Sequence, residues 1–446
     1  MTTPSLIYCS SSGLVKGFSP NEPLPVPITH IPGQHLSAMC WHQSNSFFLG
    51  TQDGSIFQVD HQTLNQKKII SGSDDELVAL LPNSSTLFSV AKSGAVDVVE
   101  TKAYTKMDRI GLPGPVESAR FSDPLIAVGG KDNNLSVWNV EHSKQPIFVA
   151  KNVRPTTLLL EVPIWISDIC FVPGQGDRIL LTSSRHGEMS LYDIRCGQRR
   201  PVSRHAWRVS RKHGKFKVGT CSHHAVIPDL ATTRPITRAL AFADAPGVGI
   251  RVVAGNVIGE LCFLDMRLPT VPVKLVNADE DEDHEKPVGL IKSRGARAPE
   301  APVSVRTLPC ASGSITGLAC SGAGQANHPI TSADSKFNSR SLLIASSLDR
   351  YLRIYDRDSG VRLSKLYAKI PIHSFLINDV ADFRNLNGWS NVSDERENAK
   401  IDKIDGVSHM TDEDEEMDAL WEHMEPAKDE VSSSNGSKRK KRNSIQ

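Results

Sequence analysis

The sequence predicts an all-β protein, a closed ring of seven four-stranded blades, on three observations. One hairpin pattern recurs seven times, its early copies stand 39 to 41 residues apart, and the first copy lacks a strand that the end of the chain has in surplus.

Each copy is a short β-branched or apolar run, a polar turn, and an alternating strand that closes on an acidic or amide residue. The clearest are Phe47 to Asp60 and Ile344 to Asp356. Others end at Glu100 after Ser93-Gly94, at Asn139 after Asp132-Asn133-Asn134, at Asp193 after His186-Gly187 and at Asp265 after Ile258-Gly259; a half-copy runs from Ile7 to Ser19 around Ser12-Gly13. The period-two alternation makes a strand, and Gly, Asn or Asp at the turn supplies the positive φ that tight hairpins need. From Ser19 to Asp60 to Glu100 to Asn139 the steps are 41, 40 and 39 residues, the length of one propeller blade. Later steps grow to 54, 72 and 91, each with an added stretch rich in Pro, charge or small residues, and read as the same blade carrying loop insertions.

The last hairpin is followed by two more strand-like runs, Leu363 to Lys369 and Ser374 to Val380, while no strand precedes the first. Pairing Ser374 to Val380 with the hairpin from Ser5 to Ser19 builds one blade from both chain ends and leaves no sheet edge open. The expected domain is therefore residues 5–380, a seven-bladed WD-type β-propeller closed by N- and C-terminal strands. It carries insertions at 153–162, 209–235, 277–313 and 321–340, and a disordered tail, acidic then basic, follows at 381–446. With the usual strand order, the first three insertions join the outermost strand of one blade to the innermost of the next and crowd one sector of one face; 321–340 leaves the opposite face. A β-sandwich fits less well, because sandwiches do not repeat one hairpin seven times in register. The WD signature itself is degraded: the nearest approach to Trp-Asp is Trp138-Asn139.

A formal net charge of +1 gives no overall field to mark a nucleic-acid binder, so partner arguments must be local. Eight cysteines with no Cys-x-x-Cys pair suggest buried free thiols in a reducing compartment. Met1 to Ser12 lacks a charged segment followed by an apolar core, and nowhere do eighteen apolar residues run together. The expectation is a soluble, unsecreted chain with no membrane partner.

Local charge is uneven. Ile194 to Lys217 holds nine Lys or Arg with Trp207, Phe216, His205 and His213 among them and no acid; Arg199, Arg200, Arg204, Arg208, Arg211 and Lys212 are its candidate contacts for an RNA or another partner. Basic residues with aromatics suit phosphate backbones and exposed bases, though a solvated loop or a contact for an acidic protein fits this run equally well. Asp279 to Asp283 is acidic throughout and reads as solvated loop. In the tail, Asp412 to Glu416 is acidic, Met417 to Met424 suits a short partner-bound helix, and Lys438-Arg439-Lys440-Lys441-Arg442 matches a nuclear localisation signal.

Catalytic motifs are missing: there is no Gly-x-x-x-x-Gly-Lys-Ser/Thr, no Gly-x-Ser-x-Gly and no His-Glu-x-x-His. Cys221-Ser222-His223-His224 has no second ligand pair at finger spacing and reads as a loop coincidence. Asp60, Asp193, Asp265 and Asp356 recur with the repeat, so a turn-stabilising role accounts for them. No catalytic residue, metal, cofactor or small-molecule substrate is expected.

Several phrases resemble one family. Ala150-Lys151-Asn152-Val153, Val162-Pro163-Ile164-Trp165-Ile166-Ser167-Asp168-Ile169, an Arg199-Arg200-Pro201-Val202 strand, Gly255-Asn256 before Phe263-Leu264-Asp265-Met266-Arg267, and Ser347 to Asp356 together are similar to the WD-repeat ribosome biogenesis factors of fungi and animals, over about residues 5 to 380. The resemblance implies a nucleolar protein of early large-subunit (pre-60S) particles, beside pre-rRNA and other assembly factors, released when an AAA-type ATPase remodels the particle. It implies nothing for the insertions around 279–283 and 321–340, which lie outside the family pattern.

The reading from the sequence is a non-catalytic scaffold for biogenesis of the 60S subunit. The alternative is a nuclear propeller that recruits substrates to a ubiquitin ligase or a chromatin-modifying complex; co-sedimentation with pre-ribosomal particles separates the two. Replacing Lys438 to Arg442 by neutral residues is expected to weaken nuclear accumulation of a tagged protein while leaving its melting temperature unchanged. An unchanged distribution would mean that import uses another signal.

Overall fold

The computed structural model describes residues 4–378, leaving out 208–233, 243–249, 266–269, 272–300, 324–340 and several shorter stretches. These residues form seven antiparallel four-stranded sheets arranged as the blades of a propeller. From the axis outward, blade one is Ser374–Ile377, Leu6–Cys9, Leu14–Phe18 and Val26–His30; blade two is Leu36–Gln43, Ser46–Thr51, Ile56–Asp60 and Gln66–Ile70. Blade three is Leu77–Pro82, Thr86–Ala91, Ala95–Glu100 and Lys106–Gly111; blade four is Ser118–Ser122, Leu125–Gly130, Asn133–Asn139 and Pro146–Val149. Blade five is Ile166–Phe171, Ile179–Ser184, Glu188–Asp193 and Ser203–Ala206; blade six is Ile236–Phe242, Arg251–Asn256, Glu260–Asp265 and Val305–Pro309. Blade seven is Ile315–Cys320, Leu342–Ser347, Tyr351–Asp356 and Arg362–Tyr367. Every hairpin read from the sequence is the middle pair of a blade.

The core lies between blades. Successive side chains on a strand point to opposite faces, so each inner strand packs against both neighbouring blades. Leu6 and Tyr8 join a cluster with Leu342, Ile344 and Leu352 of blade seven, whereas Ile7 and Cys9 join Leu36, Met39 and Phe47 of blade two. Burial falls off outward: Ser46–Thr51 and Leu342–Ser347 are wholly buried, while Lys106–Gly111, an outermost strand, buries only Ile110. Six cysteines are buried and free as expected, and desolvation pushes the thiols of Cys9 and Cys262 up to about 12. Cys196 departs from the expectation: it stands in an exposed turn after Asp193, where no blade face covers it.

The two chain ends close the ring. Leu6 pairs with Ile377, Ile7 with Leu376, Tyr8 with Phe375 and Cys9 with Ser374. The indole of Trp41 in blade two donates to Ile377 O at 2.8 Å, and the Tyr8 hydroxyl donates to Ala368 O at 2.9 Å, so the seam is held by both neighbours.

The carboxylates at strand ends act on turns. Asp60 accepts from Thr63 N, Asp193 from Arg195 N, and Asp356 from Asp358 N and Ser359 N. A second set works inside the hairpin turns. Asp349 accepts from Tyr351 N at 3.1 Å, from Arg353 Nη2 at 2.6 Å and from the Ser347 hydroxyl. Gly94 shows why such turns need glycine: its φ is +98°, and a Cβ there would stand 2.2 Å from Leu112 O.

One insertion was misplaced by the sequence. The expected 277–313 contains the outermost strand of blade six, Val305–Pro309, which pairs with Glu260–Asp265. The added residues therefore sit between the third and fourth strands of one blade, with the short pair Thr270–Val271 and Ala301–Pro302 at their base, and leave from the face that also carries 321–340. The cause is that an outermost strand is half-solvated, so its alternation is too weak to stand out beside a Pro-rich stretch. The acidic run Asp279 to Asp283, the Cys221 to His224 run and all of 381–446 lie outside the described residues.

A chain ending at Val380 is expected to melt cooperatively. One ending at Ile370 loses Ser374–Ile377 and the acceptor of Trp41, exposes the inner edge of blade one, and is expected to be unfolded or to melt far lower. Equal melting temperatures would overturn the closure.

Asp349 supplies a pH test. Burial opposes its ionisation, but the hydrogen bonds and charge of Arg353 outweigh it and hold the carboxyl below its ordinary 3.8. A depressed carboxylate stabilises the fold above its unfolded-state value and loses that contribution as pH falls through the folded value. Asp349→Asn is thus expected to cost about 2 kcal/mol at neutral pH, with the gap to wild type narrowing below about pH 4 in denaturant titrations.

Candidate functional site

All seven innermost strands begin on the same face, around one mouth of the central channel: Ser37 to Met39, Val78 to Leu80, Ser118 to Arg120, Asp168, Arg238 to Leu240, Thr316 to Leu318 and Ser374-Phe375 line it. The connections from outermost to next innermost strand also leave here, among them 153–162 and the segment 208–233.

At the seam of blades four and five this face is built from the two ends of the connection 153–162 and the approach to the outer strand of blade five. The Asn152 amide donates to Val162 O at 2.8 Å, tying together the two ends of the insertion 153–162. Arg199 donates through Nε to Val149 O at 2.7 Å and Arg200 through Nε to Asn152 O at 3.2 Å, while Lys151 N donates to Arg199 O at 2.8 Å. The connection leading to the outer strand of blade five is thereby strapped onto the outer edge of blade four. Between them lies a groove of about 60 Å³, bordered by Asn152, Val162, Trp165, Pro201 and Arg204.

Trp165 joins this groove to the channel mouth. Its indole donates to Glu117 Oε2 at 2.8 Å, the Lys131 ammonium sits 5.2 Å from its ring centroid, and His186 meets it edge-on. Leu159 and Val202, from the two connections that meet at this seam, are 83% and 54% exposed, among several exposed large apolar residues that also include Met107, Leu160 and Val361.

The expected basic contacts divide into two groups. Arg199, Arg200 and Arg204 are brought together at this seam, Arg204 paired with Glu188 and half-buried. Their donors are partly spent on holding the seam. Arg208, Arg211 and Lys212 lie outside the described residues. The expected Arg199-Arg200-Pro201-Val202 strand starts only at Ser203: Pro201 has no N–H to give a ladder, and Arg199 turns its carbonyl to Lys151 of the neighbouring blade.

The chain matches no protein-family model. WD repeat-containing protein 74 of Homo sapiens is 27% identical over 404 residues, covering 88% of this chain and 81% of that protein. The Bos taurus protein of the same name is 26% identical over 409 residues, with the same coverage. Ribosome biogenesis protein NSA1 of Saccharomyces cerevisiae is 23% identical over 413 residues, covering 87% of this chain and 74% of that protein. These proteins are homologues of the chain. The NSA1 name puts that homologue in ribosome biogenesis, and the WD repeat-containing protein 74 name agrees with the propeller found here. Three of the five phrases that resemble these proteins, 150–153, 162–169 and 199–202, meet at the blade four and five seam.

Sequence reading missed the channel mouth. Asp168 is fully buried there and accepts from Arg120 Nη2 at 2.7 Å, Ser118 Oγ at 3.2 Å, Ala239 N at 3.2 Å and Ile169 N at 3.0 Å. Arg238 donates through Nε to Thr316 O at 2.8 Å. Desolvation, together with the charges of Arg120 and Arg185, lowers its proton affinity against the pull of Asp168. His373 Nε2 donates to Ser37 O at 3.1 Å, and burial and Arg238 lower its pKa. The signal was present: Arg120, Asp168 and Arg238 are charges inside otherwise apolar innermost strands.

Proposed function

We propose that the chain is a non-catalytic assembly factor for the large (60S) ribosomal subunit, bound in nucleolar pre-60S particles beside pre-rRNA processing intermediates and other assembly factors. The observation that carries this reading is that three of the five family-like phrases, two of them joined by the connection 153–162 and the third farther along the chain, meet at one seam on one face. The homologues' names supply the process, and the seam supplies a surface suited to it: exposed Leu159 and Val202, a groove, and a basic connection leaving alongside.

In this reading Arg199, Arg200 and Arg204 shape and charge the surface, while Arg208, Arg211 and Lys212, next along the chain, reach phosphates of pre-rRNA or an acidic partner. Nuclear and nucleolar residence follows from the particle and from the signal at Lys438 to Arg442. Release by an AAA-type ATPase belongs to the same proposal, since a rigid ring seated by one face must be pulled away as a unit.

Changing Arg208, Arg211 and Lys212 together to Glu is expected to cost roughly half a kcal/mol or less each in folding, and to abolish co-migration with large pre-ribosomal particles on gradients. In a wild-type control, association should weaken as salt rises, because each phosphate contact brings counterion release. A folded triple variant that co-migrates like wild type at both low and high salt would exclude this loop as the contact.

A further inference from the structure

The turns that join the second and third strands of each blade stand on the face where the innermost strands begin. In five blades their tips are polar or charged: Ser11-Ser12, Gln52-Asp53, Lys92-Ser93, Lys131-Asp132 and Arg185-His186. Blades six and seven differ. Their tips carry Val257, Ile258 and Leu348, which are 39%, 51% and 52% exposed.

The two apolar tips are neighbours. Gly259 O accepts from Cys310 N at 3.0 Å and from Ala311 N at 2.8 Å, which lays the connection 310–314 against the blade six turn. Leu348 N donates to Ser314 O at 3.0 Å and Ser312 N to Asp349 Oδ2 at 3.3 Å, so the blade seven turn holds the other side of the same short connection. Beyond Leu348 this turn carries Arg350, whose carbonyl accepts from Ala368 N at 2.8 Å and so sets Lys369 beside it. Both cations are exposed and form no ion pair among the described residues. The nearby carboxylates are already engaged: Asp349 holds Arg353 and the Ser347 hydroxyl, and Glu260 holds the Asn256 amide and Arg234. The strip is therefore apolar at one end and net positive at the other.

A single exposed Leu needs no explanation, but three apolar side chains on adjacent tips, where five sister turns are polar, form a patch. We propose that this strip is the docking site for an acidic amphipathic segment of a protein partner, with its apolar side chains on Val257, Ile258 and Leu348 and its carboxylates at Arg350 and Lys369. This proposal does not rest on the ribosomal reading, and it uses other blades than the seam of four and five.

The chemistry selects this occupant. RNA would use the two cations but leave three aliphatic side chains in water, and the strip offers it no free aromatic ring for a base. The nearest ring, Tyr351, is packed on Tyr367 and faced by Arg353 and Lys365. A basic segment would be repelled at Arg350 and Lys369. A helix with acid beside its apolar stripe satisfies both ends of the strip.

The test titrates a fluorescein-labelled, end-capped helical peptide of about fifteen residues, with Leu along one stripe and Glu elsewhere, into the full chain. The controls are a scrambled peptide of the same composition and a peptide with Gln in place of Glu. Wild type is expected to bind the striped acidic peptide about tenfold or more tightly than either control. Ile258→Ser with Leu348→Ser is expected to weaken binding about tenfold, and Arg350→Asn with Lys369→Asn about fivefold while flattening its salt dependence. Asparagine suits both positions because they stand at left-handed φ, +71° and +63°. All four side chains are exposed, so melting temperatures should hold; if one double variant unfolds, the other still decides. The chain with Arg208, Arg211 and Lys212 changed to Glu is expected to bind like wild type, which separates this site from the basic connection. Neither oligouridylate nor vesicles of phosphatidylserine and phosphatidylcholine should displace the peptide. The proposal is overturned if wild type does not prefer the striped acidic peptide, if a folded double variant binds like wild type, if binding disappears in the triple Glu variant, or if oligouridylate or vesicles compete.

Discussion

Ring closure is the constraint on which the rest of this structure depends. A blade has two apolar faces and no core of its own, so it is stable only between two others, and the first and last blades can satisfy this only by meeting. Leu6 and Tyr8 face one neighbour while Ile7 and Cys9 face the other, and this arrangement repeats through all seven interfaces. The antiparallel register of Leu6–Cys9 with Ser374–Ile377 makes the first blade from residues more than 360 positions apart, so no terminal sheet is left with an open inner edge.

Closure also gives the molecule two unlike faces. The innermost strands all begin on one of them, and there the seam of blades four and five and the channel mouth are assembled. The acidic insertion of blade six and the insertion at 321–340 depart from the other, because they lie between strands that turn at the opposite end.

Several charged side chains in the described residues serve the architecture. Asp60, Asp193, Asp349 and Asp356 fix turns, and Arg199 and Arg200 fasten one blade to the next. Repetition is the mark of that role: an acidic residue recurring at the strand ends of several blades answers a need that those turns share. Trp165, Arg185 and Arg238 do not recur in this way, and they gather on one face.

The amino-acid sequence by itself determined the seven hairpins, their blade length and the closing pairing, because strand alternation and turn chemistry are local and repeat along the chain. It also marked 150–153, 162–169 and 199–202 as special, without showing that they touch. It misread the outermost strand Val305–Pro309 and the start of the strand at Ser203, since half-solvated edge strands carry weak alternation and a neighbouring blade claimed the backbone of Arg199. Only the tertiary structure decided that Arg120, Asp168, Arg238 and His373, from four different blades, meet at one mouth. The physical reason is that a propeller brings residues together through the radial convergence of its innermost strands, and the distance between those residues along the chain is set by blade length, not by any spacing that their chemistry imposes.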